Sequence, residues 1–213
     1  MASQIQIKAL ENPWDRTRFP RLDFLDPYFL AGTSPTDLLE ALAGCVAEVL
    51  DAPRCDVQQA LPADAGLRLV AHRGMDAPFL TYFALVAGRV TACSQAAESG
   101  RAVWVHDVRT SSLFTPDSRE VMLDSQSRAV LSLPLRQPGG PVLGVLSLHH
   151  RSPDRLAHVD TAVLTALTRA AGRALHWHAS PLPVVRGRNA PAPFQQASPP
   201  RTSSGSPPRS EPR

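Results

Sequence analysis

Apolar positions along the chain recur at spacings that change every ten to twenty residues. Leu38, Leu39, Leu42, Val46, Val49 and Leu50 follow a helical period. Ser34-Pro35-Thr36-Asp37 opens that helix with a capping hydroxyl, a proline suited to the first turn and an acid that complements the dipole. Residues 55–61 and 67–72 read as two strands around the turn Pro62-Ala63-Asp64-Ala65-Gly66. Within 76–85, Phe79, Leu80, Tyr82 and Phe83 predict a short aromatic helix, and 91–99 predicts a second one closed by Gly100. Residues 102–108 are β-rich, 110–117 form a loop, and 119–125 have room for one or two helical turns. The clearest strand pair is 129–135 with 142–149, joined by Gln137-Pro138-Gly139-Gly140-Pro141. Both runs are almost continuously apolar, which predicts strands covered on both faces. Finally, Ser152-Pro153-Asp154 predicts the start of a long helix striped by Leu156, Val159, Val163, Leu167, Ala170, Ala171, Ala174 and Leu175.

This order predicts an α+β domain. A central antiparallel sheet carries the first and last helices on one face and the short helices and loops on the other. The flanks differ. In residues 1–33, Pro13, Pro20 and Pro27 break any long helix. Trp14, Phe19, Phe24, Leu25, Tyr28 and Phe29 are nonetheless too apolar for a solvated linker, so this arm is expected to pack on the body or on a partner chain. After Trp177 the periodicity stops, and 181–213 has too few apolar residues to fold. The expected organisation is an arm at 1–33, a domain at 34–180 and a disordered Pro/Arg/Ser-rich tail at 181–213.

Charge follows the same division. The formal net charge is +3. Residues 181–213 hold nine of the 21 prolines and five arginines against one acid, a net of +4. Residues 1–180 hold 17 basic and 18 acidic residues, a net of −1. A body without basic excess gives no electrostatic basis for specific nucleic-acid binding. No stretch approaches the roughly 20 apolar residues of a spanning helix, and the N-terminus lacks the pattern of a signal peptide. The expected location is the cytoplasm, with no membrane contact.

Few residues are arranged for catalysis. Cys45, Cys55 and Cys93 have no C-x-x-C spacing and are odd in number, which predicts neither a zinc ribbon nor a disulfide framework. Gly139-Gly140 lacks the Lys-Ser/Thr of a phosphate loop, and Ser147 lies within an apolar strand without the glycines of a nucleophile elbow. His149 and His150 are adjacent on a strand and point to opposite faces, so they cannot share a metal ion. A single axial haem histidine leaves no spacing signature; His106 and His149 are its candidates. The sequence names no cofactor. Cys93 would be redox-active only if its pKa were low.

From about Thr36 to Leu175 the chain resembles a GAF domain, the small-molecule sensor module of bacterial signalling proteins. Phe79-Leu80-Thr81-Tyr82-Phe83 is similar to its aromatic helix, and Ala92-Cys93-Ser94 falls where one subgroup has Ala-Cys-Gly. Gly100-Arg101-Ala102-Val103 with Val105-His106-Asp107-Val108 resembles Gly-x-Pro-Val-x-Val-x-Asp-Val, and Leu113-Phe114 resembles the loop that follows. Arg128 to Leu135 is similar to Arg-Ala-Val-Gln-Ser-Thr-Pro-Leu, and Leu143 to His149 to Leu-Gly-Val-Leu-Ser-Thr-His. The resemblance implies five or six antiparallel strands with helices behind them and a ligand pocket in front, under the short helices and the loop around 109–126. It places Phe79, Tyr82, Phe83, Cys93, Phe114, Arg128, Ser132 and His149 as ligand-binding candidates.

Leu131, Leu133 and Leu148 stand where that subgroup has Gln, Thr and Thr; if their face looks into the pocket, it is greasier or collapsed. The signature of cyclic-nucleotide binders and the cysteine of bilin binders are both missing. Alignment with the free methionine sulfoxide reductase of this fold puts Leu123 at the catalytic cysteine, and leucine cannot form a sulfenic intermediate. The resemblance therefore implies a non-enzymatic sensory module. It would bind a small molecule, or sense redox state through Cys93, and signal to a protein partner through terminal helices that also form a homodimer. The alternative is a ligand-less dimerisation scaffold that uses its tail for docking. A polar-edged cavity beside Tyr82, Phe83 and Phe114 separates the first from the second, which expects a filled space.

Overall fold

The computed structural model describes residues 26–50 and 52–179. The expected arm up to residue 25 and the expected tail from 181 onward lie outside the described residues. The chain opens with α1 (Pro27–Gly32), capped by the Asp26 carboxylate, which accepts from the N–H groups of Tyr28 and Phe29. It continues with α2 (Pro35–Val49), where the Ser34 hydroxyl accepts from the Asp37 N–H as the sequence predicts. Strands β1 (Arg54–Ala60) and β2 (Leu67–Arg73) follow, then α3 (Ala77–Tyr82), β3 (Leu85–Val86) and α4 (Ala92–Ser99). The rest is β4 (Val103–Val105), α5 (Pro116–Asp124), β5 (Ala129–Leu135), β6 (Gly144–His150) and α6 (Thr161–Ala179).

The six strands form one sheet in the order β3-β2-β1-β6-β5-β4, every neighbouring pair antiparallel. Each central strand buries both faces. Cys55, Val57, Leu146, Leu148, Ala129, Leu131 and Leu135 face α2 and α6 and form the larger core with Leu38, Leu39, Leu42, Leu164 and Leu167. Alternate residues on the opposite face, Val130 and Val145 among them, form a second core with Phe79, Phe83, Phe114, Met122 and Cys93. In β2 a bulge changes sides: Val57 pairs with Ala71 but Gln58 pairs with Leu69, so Val70 is the extra residue. It lets Leu67 reach the second core while Ala71 reaches the first.

Three expectations are corrected. Residues 153–158 are a separate 3-10 segment, and α6 starts only at Thr161. Val159 is extended, and the Asp160 carboxylate accepts from the N–H groups of Ala162 and Val163, so Asp160 caps the helix that Ser152-Pro153 was expected to open. The third expected strand shrinks to Val103–Val105, because Asp107 begins a turn that receives the N–H groups of Thr110 and Ser111 on its carbonyl. Leu131, Leu133 and Leu148 do not look into a pocket; they belong to the helix-side core. Strand β3 was not anticipated. It is two residues long, too short to show a period.

Candidate ligand-binding site

Two short helices and a loop cover the front of the sheet. Helix α3 is capped by the Asp76 carboxylate, which accepts from the Phe79 N–H and from the Ser125 hydroxyl at the end of α5. Helix α4 has a reciprocal capping box between Thr91 and Ser94 and ends on Gly100 at φ 61°, a left-handed position that suits glycine. The 108–114 loop is held by Arg119, whose guanidinium donates to the carbonyls of Val108, Ser111 and Phe114. Arg89 similarly donates to the carbonyls of Tyr82 and Leu85 and lies over the Tyr82 ring. These two arginines fasten the cover to itself through backbone oxygens.

Beneath it is a cavity of about 20 Å³, with room for a single water-sized group. Its walls include Phe79, Phe83, Phe114, Met122 and Cys93. Its floor is polar: Asp56 and Gln58 from β1, Ser147 and His149 from β6, and Ser132 from β5. Strand register explains the grouping. Asp56 is paired with Ser147, and Ser147 with Ser132, so the three form one row across the sheet. His149, two residues on from Ser147, is the diagonal neighbour of Asp56 on the same face. The His149 Nε2 and Asp56 Oδ1 atoms are 2.6 Å apart, with the two side chains 3% and 2% exposed. The Ser132 and Ser147 hydroxyls share a hydrogen bond of 2.9 Å. The Phe79 ring stands edge-on to His149 at 5.3 Å and tilts against Phe83 at 4.5 Å.

The floor is not fully satisfied. Asp56 Oδ2, Gln58 Oε1 and His149 Nδ1 are buried without a protein partner. Such a group in a closed interior costs about 1–3 kcal/mol.

Of the eight candidates from the sequence, Phe79, Phe83, Cys93, Phe114, Ser132 and His149 line the cavity. Tyr82 packs against Phe83 from outside it. Arg128 is also outside. It forms an ion pair with Asp107 at 2.9 Å, and Asp107 also holds Arg109, so the two guanidinium groups keep the Asp107 carboxyl well below the usual range. Asp56, Gln58 and Ser147 were missed. In β1, Asp56 and Gln58 alternate with Cys55 and Val57, the pattern of a strand with one wet face, and nothing local says that this face is covered.

Cys93 lies against the Thr91 hydroxyl at 3.0 Å. Burial, reinforced by the Asp56 charge, pushes its thiol up to about 12. Burial likewise raises Cys55 to about 12 and Cys45 to about 11. At neutral pH all three are protonated, so each behaves as a small hydrophobe. A colorimetric disulfide reagent should therefore find no fast thiol in the native protein and three after unfolding; one rapid native equivalent would contradict this. Because these folded values exceed the unfolded one, the stabilisation they carry is complete below about pH 8.5 and declines as pH rises toward 12. Among the described residues, no three His, Cys, Asp or Glu side chains are grouped to hold a metal ion.

The fold, a six-stranded antiparallel sheet with the terminal helices behind it, is shared by known proteins. The family model for the GAF domain matches residues 34–175. The chain belongs to the GAF domain family. Comparison with curated proteins gives no match. Solved structures show how far the likeness extends. A GAF domain from a Coxiella burnetii phosphoenolpyruvate-protein phosphotransferase superposes with a TM-score of 0.59 at 16% identity, over 76% of this chain and 95% of that one. The GAF domain of the Acinetobacter phosphoenolpyruvate-protein phosphotransferase gives 0.58 at 15%, over 76% and 96%. The free methionine-R-sulfoxide reductase of Neisseria meningitidis, in complex with its substrate, gives 0.57 at 20%, over 78% and 91%. At these identities the likeness is one of fold. No helix among the described residues of this GAF domain is long and apolar enough to cross a membrane.

Proposed function

We propose that this GAF domain is a non-enzymatic sensory module of bacterial signal transduction that takes a small molecule into the cavity in front of the sheet. One observation carries the reading. Five polar side chains converge on a buried floor, and three of the five described buried polar side-chain atoms without a partner belong to Asp56, Gln58 and His149. Such atoms weaken the fold unless something binds them. The cavity is smaller than a metabolite, so binding requires α3, α4 or the 108–114 loop to yield. The response would leave through α2 and α6, whose buried faces lie on the back of the same strands. Those helices are also the proposed homodimer surface; Trp177 near the end of α6 is 63% exposed. The domain would act in the cytoplasm, and its output would be a signalling protein.

Catalysis like that of the reductase is not part of this reading. In the resemblance drawn from the sequence, Leu123 falls where that enzyme has its catalytic cysteine, and burial pushes the Cys93 thiol up to about 12. A redox-sensing role for Cys93 has the same difficulty. The cavity's small size favours a second reading, a ligand-less dimerisation scaffold.

Native mass spectrometry and thermal shift of the full chain against a metabolite library separate the two. A ligand that raises the melting temperature of the wild type but not of Ser132→Val supports the sensor. No binder, together with a dimer that persists, leaves the scaffold. Turnover of free methionine sulfoxide with a thiol reductant would refute the non-enzymatic part.

A further inference from the structure

The cavity floor holds two buried oxygen acceptors without a protein partner. Asp56 and Gln58 are two residues apart on β1 and only 2% and 1% exposed. The Oδ1 atom of Asp56 is engaged by His149, while its Oδ2 atom and the Oε1 atom of Gln58 have no protein partner. The Ser132–Ser147 contact uses one hydroxyl proton internally. Among the described residues, no lysine or arginine lines the cavity. The remaining walls include the rings of Phe79, Phe83 and Phe114 and the thioether of Met122.

A carboxylate at the base of aromatic walls suits a cation. Ring faces carry negative partial charge, and an ammonium group has three donors and no acceptor. An anionic ligand would meet the Asp56 carboxylate, and the basic side chain among the described lining residues, His149, is already bonded to that carboxylate. A purely apolar ligand would leave both acceptors unmatched.

We infer that the group recognised at this floor is a primary ammonium, and that the ligand is a small amine whose –NH3+ donates to Asp56 Oδ2 and Gln58 Oε1. This inference rests on the pocket reading above and gives it a ligand class. The cavity, about 20 Å³, accommodates the head group alone, so the carbon chain is what displaces the cover.

The test uses the full chain and methylammonium chloride, with methanol as the neutral analogue of similar size and sodium chloride as the salt control. A two-heavy-atom ligand is bounded to millimolar affinity at best, so titration to about 200 mM is needed. Methylammonium should give saturable shifts in the amide resonances of Cys93, Ser132 and Ser147, while methanol and sodium chloride should not. Asp56→Asn removes the charge at constant shape, and Gln58→Met removes the acceptor at similar volume. Each should weaken binding by about tenfold or more, as expected for a hydrogen bond to a charged group. Equal shifts from methanol, no saturation, or unchanged affinity in both variants would overturn the inference. If a neutral or anionic metabolite moves these amides instead, the ammonium falls and the pocket stands. If no ligand of any charge moves them, both fall.

Discussion

His149→Leu destabilises the folded domain by about 4 kcal/mol, more than Asp56→Ala does, and the double substitution recovers most of the loss. The asymmetry comes from what each single change leaves behind. Without His149, a carboxylate is buried beneath Phe79 with neither oxygen partnered among the described residues. To stay buried at neutral pH it must take up a proton, which from the ordinary carboxyl value costs about 4 kcal/mol. Without Asp56, the remaining imidazole has only to be neutral, which costs little at that pH. Removing one partner of a buried pair commonly costs about 3–5 kcal/mol, while replacing both by apolar groups is often neutral or stabilising. Urea denaturation of the two single variants and the double variant completes a cycle. Equal losses for the two singles, or additive losses in the double, would show that the pair is not an isolated charge couple. The double variant should also lose any ligand response although most of its stability is restored.

The second large effect is expected where the last helix crosses the sheet. A Cβ on Gly172 would lie 2.4 Å from the Arg136 nitrogen and 2.5 Å from both its carbonyl carbon and oxygen. These are backbone atoms at the end of β5 and cannot turn aside. Gly172→Ala gains about 1 kcal/mol in helix propensity, but α6 must then lift from a packed interface that also holds Leu164, Leu167, Ala171 and Leu175. Overpacking typically costs about 1–3 kcal/mol, and a backbone clash belongs at the upper end. The net expectation is a loss of about 2 kcal/mol, or roughly 4–8 °C in melting temperature for a chain of this size. Gly172→Val, with two further methyl groups at the same crossing, should not give a cooperative transition. A Gly172→Ala protein as stable as wild type would mean that α6 sits farther from β5 than described.

Much of this architecture was legible because the signals are local. Ser34-Pro35 caps a helix wherever it is found, and a Pro-Gly-Gly-Pro turn between two apolar runs leaves little choice but an antiparallel pair. The break at Val159-Asp160 was lost because the stripe of Leu156, Val159 and Val163 continues across it; packing on one face does not require an unbroken helix. The part of the polar floor that β1 supplies was lost for a different reason. Asp56 and Gln58 look like a solvent face, and only the placement of α3 and α4 over them, set by long-range contacts, makes that face an interior. The resemblance supplied the phenylalanines and His149 but not their carboxylate partner, 93 residues away in sequence.

Strand β6 ends in two histidines that face opposite ways. His149 lies in the cavity floor, while the His150 ring accepts the Ser152 N–H at the start of the segment that leads into α6. A single peptide unit therefore separates the candidate sensing surface from the connector to the last helix. It is clamped on one side by the pairing of Ala129 with His150 and on the other by that of Arg54 with His149. The two side chains leave the same strand on opposite faces, so the floor and the connector share one stretch of backbone. A change at the floor that moved the backbone at His149 would therefore reach the connector to α6 within one residue.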